Sequence, residues 1–263
     1  MDDFIDQKVS IIGSGRVATS LAHAFKAQGI FINEIYSRSI THAEKLSRAL
    51  PGSSATDSLD LSHSESKLFV VAVSDDTIHE VVGQFQPPKG ALLFHTSGTV
   101  PIEILDTNAG GIFYPLQTFT LNKVVDFKTV PILIEGTDTH AEDVLLSLGS
   151  TISNHVKLVS GEERKKLHIA AVFASNFTNR MLAAAEEILQ DTSLDLKILE
   201  PLVFESIQNA FDFGTDKALT GPAKRGDSKT IESHLKSLDQ NPALKSIYDR
   251  LTAMITSKFS RPN

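Results

Sequence analysis

Lys8-Val9-Ser10-Ile11-Ile12-Gly13-Ser14-Gly15-Arg16-Val17-Ala18 is the stretch on which the fold turns. β-Branched residues crowd Lys8 to Ile12, and a glycine-bearing turn follows. From Val17 to Gln28 apolar residues then recur at helical spacing until Gly29 ends the run. Strand, turn and helix in that order give Gly13-Ser14-Gly15-Arg16-Val17-Ala18 the G-x-G-x-x-G/A pattern of a dinucleotide-binding turn. Gly13 permits the tight bend, Gly15 lets a diphosphate approach the backbone, and small Ala18 lets helix and strand pack closely. The start of the helix adds unpaired N–H groups and a partial positive charge. Without the flanking strand and helix the same glycines would read as an ordinary turn.

Outward from this unit the pattern repeats. Ile30 to Tyr36 predicts a second strand and Thr41 to Leu50 a second helix, closed by Pro51-Gly52. Leu68 to Val73 and Ala91 to Phe94 are continuous apolar runs, as expected of parallel strands buried on both faces, with a helix from Thr77 to Phe85 between them. Ile112 to Tyr114, Val130 to Glu135 and Val156 to Val159 extend the sheet. Strands alternating with helices define a doubly wound α/β sheet, because parallel neighbours need crossover connections. After Ser160 the texture changes to helical patterns at Gly161 to Gln190, Leu194 to Phe213, Lys229 to Leu238 and Pro242 to Phe259. Residues 1–159 therefore read as a Rossmann domain and 160–263 as an all-α domain that completes a substrate site.

The turn after the second strand selects the dinucleotide. An acid there would bond the ribose 2′-hydroxyl, whereas Ser37-Arg38-Ser39 offers a guanidinium and two hydroxyls to a 2′-phosphate. NADP(H) is the expected cofactor. Ligands of open sheets lie beyond the carboxyl ends of the strands, which adds Val73, Ser74 and Thr96 to Gly13, Ser14, Gly15, Arg16, Val17, Ser37, Arg38 and Ser39 as cofactor contacts. Ser74 also suits a helix N-cap. Ser97 and Gly98 are expected beside the nicotinamide and substrate. His95 fits either that setting or a structural role.

On an unbroken helix from Gly161 to Gln190, Lys165, His168, Ser175, Asn176 and Asn179 share an arc of about 100°. Leu167, Ala170, Phe173, Ala174, Phe177 and Met181 fall opposite. The polar arc holds His and two Asn where a solvated helix favours Lys and Glu, which points to a lined cleft. Carbonyl reduction needs a proton donor and groups that fix the substrate. His168 is the first choice for the acid because histidine changes charge nearest neutrality, with Lys165 the alternative. Asn176 and Asn179 suit substrate oxygens, and Arg164 is a possible carboxylate partner at the edge of the arc. The loop Leu219 to Asp227 precedes a helix that Asp227 or Ser228 would cap; its Arg225 suits a substrate carboxylate, although a solvent-exposed arginine before a helix is the simpler account of it.

The totals narrow the class. A formal charge of −7, with 25 Lys and Arg spread along the chain, gives no attraction for nucleic acid. The absence of cysteine excludes disulfides, thiolate metal sites and a cysteine nucleophile, and no metal site is expected. Met1 to Lys8 is acidic without signal-peptide features, and no apolar run is of spanning length, so a soluble cytoplasmic protein with no membrane partner is expected.

G-S-G-R-V-A from Gly13, the Ser37-Arg38-Ser39 turn, H-T-S-G from His95, Y-P-L-Q-T-F from Tyr114, H-I-A-A-V-F-A-S-N-F from His168 and L-T-G-P-A-K-R-G-D from Leu219 span nearly the whole chain. Together they resemble a family of Rossmann-like NADP oxidoreductases with a C-terminal domain of unknown function 2520. That family is related in fold to ketopantoate reductases, pyrroline-5-carboxylate reductases and β-hydroxyacid dehydrogenases. The resemblance implies NADP(H), a cleft between domains, a small oxo acid like 2-dehydropantoate as substrate, and a homodimer formed through the helical domain. Two readings follow: an oxidoreductase acting on a small carboxylate-bearing carbonyl or imine, or a redox sensor or scaffold that binds NADP(H) without turnover.

Overall fold

The computed structural model describes residues 8–106, 108–120 and 125–259, and the chain divides into two compact units, Met1–Ser175 and Asn176–Asn263. The first unit contains the strands β1 (Lys8–Ile12), β2 (Phe31–Tyr36), β3 (Ser54–Thr56), β4 (Leu68–Val71), β5 (Leu92–His95), β6 (Gly110–Pro115), β7 (Ile132–Gly136) and β8 (Val156–Leu158). They form one sheet in the order β3-β2-β1-β4-β5-β6-β7-β8. The helices α1 (Arg16–Ala27), α2 (Ile40–Arg48), α3 (Asp75–Gln84) and α4 (Thr139–Ile152) connect them.

Alternation along the strands divides the core in two. Val9, Ile11, Leu68, Val70, Leu92 and Phe94 pack with Leu21 and Phe25 of α1 and Leu145 of α4. Ile12, Phe69, Val71 and Leu93 pack with Ile78 and Val82 of α3. Both faces of the central strands are thus covered, which is why they read as unbroken apolar runs.

Every neighbouring pair is parallel except β6 and β7, which are antiparallel. The described residues between Pro115 and Ile132 hold only a 3-10 turn at Phe127–Thr129. Without a crossover helix the chain returns to the sheet in the opposite direction.

A capping box starts α5 (Gly161–Ala171): the Ser160 hydroxyl accepts the Glu163 N–H, and the Glu163 carboxylate accepts the Ser160 N–H. The predicted single helix to Gln190 is interrupted. A π-helical turn occupies Val172–Phe177, and α6 (Thr178–Leu189) follows. Val172, Phe173, Ser175 and Asn176 are modest helix formers, so the insertion falls where α-propensity is weakest.

The second unit holds α6, α7 (Glu200–Phe213), α8 (Thr215–Ala218), α9 (Pro222–Arg225), α10 (Ser228–Ser237) and α11 (Pro242–Phe259). The expected helix from Leu194 begins instead as a 3-10 turn at Leu196–Leu199, and Pro201 opens α7, where its missing N–H costs no bond. Among the described residues no helix is long and apolar enough to cross a membrane.

Candidate active site

β1 hands the chain to Gly13, whose φ of +133° lies where side chains are disfavoured. A Cβ there would run into the Ala72 carbonyl just beyond β4. The Gly13 N–H donates to the Tyr36 carbonyl at 2.8 Å. The turn delivers the start of α1 into the crevice between β1 and β4, where the strand order reverses. α1 has no side-chain cap and no acid in its first turn. Its leading N–H groups and partial positive charge therefore face the crevice without a capping side chain. A Cβ on Gly15 would meet nothing within 4 Å, so the approach is open.

A cavity of about 450 Å³ lies over this turn, and its lining includes Gly13, Ser14, Gly15, Arg16, Val17, Ser37, Arg38, Val73 and Ser74. The Ser14 hydroxyl donates to that of Ser37 at 2.9 Å, tying the two turns together. The uncapped helix start fits a diphosphate, and Arg38 fits a further phosphate. Ser39 lies outside the lining, at the start of α2, with its hydroxyl 2.9 Å from that of Thr41. Thr96 also lies outside it, and its N–H donates to Val71 at 3.2 Å. A larger groove of about 1060 Å³ is lined by α1, α2 and residues 125–128 and shares only Ser14, Gly15 and Arg16 with this cavity. Size does not decide between them, because the glycine-turn chemistry belongs to the smaller.

β5 brings His95-Thr96-Ser97-Gly98 to the same end of the sheet. His95 is fully buried, and its Nδ1 accepts the Ser97 N–H at 3.2 Å. Burial first, and then the Arg164 guanidinium, push its pKa down to about 4. Its Nε2 has no partner of hydrogen-bonding geometry, although the Pro101 backbone lies near enough to favour the charged form slightly. A neutral, buried imidazole holding the loop backbone is the structural alternative of the two readings of His95.

The Ser97 hydroxyl, expected to face substrate, accepts the N–H groups of Thr99 at 3.1 Å and Val100 at 3.0 Å. Its carbonyl accepts from Arg164 Nη1 at 3.3 Å. Arg164 is fully buried, and its Nε donates to Glu135 at 3.1 Å. That geometry overturns Arg164 as an accessible carboxylate partner: it pins the β5 loop and α5 to β7.

Gly98 has a neighbour the sequence did not announce. A Cβ on it would lie 2.8 Å from Tyr114 Cζ and closer still to His168 Nδ1. The Tyr114 hydroxyl and His168 Nδ1 are 2.9 Å apart, with ring centroids 5.9 Å apart. Burial chiefly, and then the Asp75 carboxylate, raise the Tyr114 pKa, with Arg164 opposing. The phenol therefore stays protonated beyond the ordinary tyrosine range. Thr118 and Ser175 hydroxyls, 3.1 Å apart, tie the Tyr114–Phe119 segment to the π-helical turn that follows α5 as well. Tyr114 was findable: it lies near the carboxyl end of a strand, as Ser74 and His95 do.

The structure brings His168 to Gly98 but leaves Lys165 exposed. Asn176, Asn179 and Arg225 belong to the second unit and are exposed there. The arc drawn at 3.6 residues per turn does not survive the π-helical turn, which changes the angular step between His168 and both asparagines. Beside Arg225, Lys224 Nζ donates to the carbonyls of Asp216 and Leu219, both at 2.8 Å. Asp227 caps α10 by accepting the Thr230 N–H at 3.2 Å. Among the described residues no group of His, Asp and Glu is placed to hold a metal ion.

Residues 5–117 match a Rossmann-like domain, and residues 130–255 match the domain of unknown function 2520. A Bacteroides fragilis protein with the provisional description NADP oxidoreductase is 33% identical, with 97% of this chain and 100% of that one covered and a TM-score of 0.86. A Thermotoga maritima protein is 22% identical over 96% of this chain and 100% of that one, with a TM-score of 0.79. A reductive aminase from Aspergillus terreus, in complex with NADPH and ethyl-5-oxohexanoate, shares the fold at 12% identity, with 95% and 93% coverage and a TM-score of 0.71. No curated protein matches the chain.

Proposed function

The chain belongs to the family of Rossmann-like proteins whose second half is the domain of unknown function 2520, and from that membership we propose an NADP(H)-dependent oxidoreductase acting on a small carboxylate-bearing carbonyl compound or imine. The observation that carries this reading is the uncapped start of α1 beneath the 450 Å³ cavity, with Arg38 in the same lining. Gly13 to Val17 hold the diphosphate, Ser37 and Arg38 hold the 2′-phosphate, and Val73 and Ser74 close the other side. When bound, NADPH supplies the two electrons and the hydrogen that reduce the substrate carbon. His168 and Tyr114 form the acid-base pair, and Gly98 permits their approach. The NADP oxidoreductase description of the Bacteroides relative supports the cofactor, and the reductive aminase complex supports a carbonyl or imine substrate. Arg225, Asn176 and Asn179 supply further polar contacts to the substrate, and the second unit carries a homodimer interface. The acidic, cysteine-free chain suits a reducing cytoplasm.

The test is calorimetry with both nicotinamide dinucleotides, followed by a panel of oxo acids and cyclic imines read at the nicotinamide absorbance. Preferential NADPH binding and turnover on at least one compound are expected. Tight binding with no turnover across the panel would make the protein a sensor. Absence of heat with either dinucleotide would defeat the reading outright.

A further inference from the structure

Resting on the oxidoreductase reading, we infer that Tyr114 hands the proton to the substrate oxygen, and that His168 acts through Tyr114 as a positioning and proton-resupplying residue. Three observations converge on this order. Tyr114 lies on β6, near the carboxyl end of a strand parallel to β5, where ligands of such sheets bind. The Nδ1 edge of His168 is already taken up by the phenol at 2.9 Å and enclosed by the Gly98 backbone, which leaves no room for a side chain. Finally, Arg164 and His168 are i,i+4 neighbours on α5 and so share one face. The buried Arg164, bonded to Glu135 and to the Ser97 carbonyl, fixes that face against the β5 loop.

The charged groups facing Tyr114 are Asp75 of α3 and Arg164 of α5; burial and then Asp75 keep the phenol protonated, against the opposing pull of Arg164. As the carbonyl carbon is reduced, its π pair moves to oxygen. The Tyr114 O–H bond breaks and its proton goes to that oxygen, completing an alcohol. The phenolate then takes a proton from His168 Nδ1 while Nε2 of the same ring takes one from solvent. Only a hydroxyl on the ring can perform this step, so phenylalanine keeps the shape and removes the chemistry.

The experiment compares wild type, Tyr114→Phe, His168→Ala and the double variant, with NADPH affinity measured separately. Tyr114→Phe should lower kcat by about 100-fold or more, with KM and NADPH affinity little changed. The double variant should be no slower than Tyr114→Phe alone, because His168 has nothing left to act through. Independently of turnover, the pH midpoint of the His168 imidazole, followed by NMR on cofactor-free protein, should move in Tyr114→Phe. Near-normal kcat in Tyr114→Phe, multiplicative losses in the double variant, or an unmoved His168 midpoint would each overturn the inference while leaving the oxidoreductase reading intact. A wild type that binds NADPH but reduces nothing in the panel would remove that reading and this inference together.

Discussion

A guanidinium and a carboxylate at the end of β2 make opposite demands on the adenosine ribose, and this chain carries Arg38. Arg38→Glu places a negative charge against the 2′-phosphate of NADPH, while NADH has only a hydroxyl there. NADPH affinity should fall by at least about tenfold, or ~1.4 kcal/mol, and NADH affinity far less. Fluorescence titration with both cofactors checks this, and equal losses would reject the assignment. His95 governs a different property. Its folded pKa of about 4 lies below the ordinary 6.5, so between those values the unfolded chain binds a proton that the folded one refuses. Stability contributed by keeping it neutral is complete above pH 6.5 and falls as pH drops towards 4, by on the order of 3 kcal/mol. His95→Asn retains an acceptor for the Ser97 N–H and should flatten the decline in urea midpoint between pH 7 and pH 4.5. An unchanged decline in that variant would assign it to other groups.

At the scale of elements, α5 is held by one buried charge pair. Arg164 is fully enclosed and the Glu135 side chain is 19% exposed, so removing one partner strands the other in poor solvent. Arg164→Ala should cost about 3–5 kcal/mol, visible as a fall in Tm, with part of the loss restored when Glu135→Ala is added. A Tm within a degree of wild type would show that neither charge matters there. The same helix shows where sequence reasoning stops. The β1–turn–α1 unit was legible because its causes are local: β-branched residues, two glycines and a helical apolar stripe within about twenty positions. The reversal of β7 depends on the missing crossover between distant strands. The burial of Arg164 depends on an acid 29 residues away, and the approach of Tyr114 to His168 spans 54 residues. None of these leaves a periodic mark. The π-helical turn at Val172–Phe177 had only weak helix propensity to signal it, so a polar arc drawn on an ideal helix does not carry its angular spacing from His168 through to Asn176 and Asn179.

For the whole molecule, the distribution of apolar surface is the feature that bears on the proposed homodimer. Among the described residues, the buried apolar side chains of the second unit are Ala184 and Leu244 alone, whereas those of the first fill both faces of a sheet. A second copy laid on these helices would bury apolar surface that a single chain exposes. On α7, Phe204, Ile207 and Phe211 fall at i, i+3 and i+7 and are 65%, 42% and 85% exposed, a stripe on one helical face. Covering each such side chain would contribute about 1.5–3 kcal/mol, enough for three or four residues to dominate a self-associating surface. A closed pair related by a two-fold axis satisfies both copies with the same patch, whereas a head-to-tail arrangement would leave the stripe bare at the ends. Light scattering should therefore give about twice the chain mass for wild type, and Ile207→Glu with Phe211→Glu should give single chains whose Rossmann unit still binds NADPH. A wild type that runs as single chains at micromolar concentration, or a double variant that stays paired, would mean that α7 is not the surface through which the copies meet.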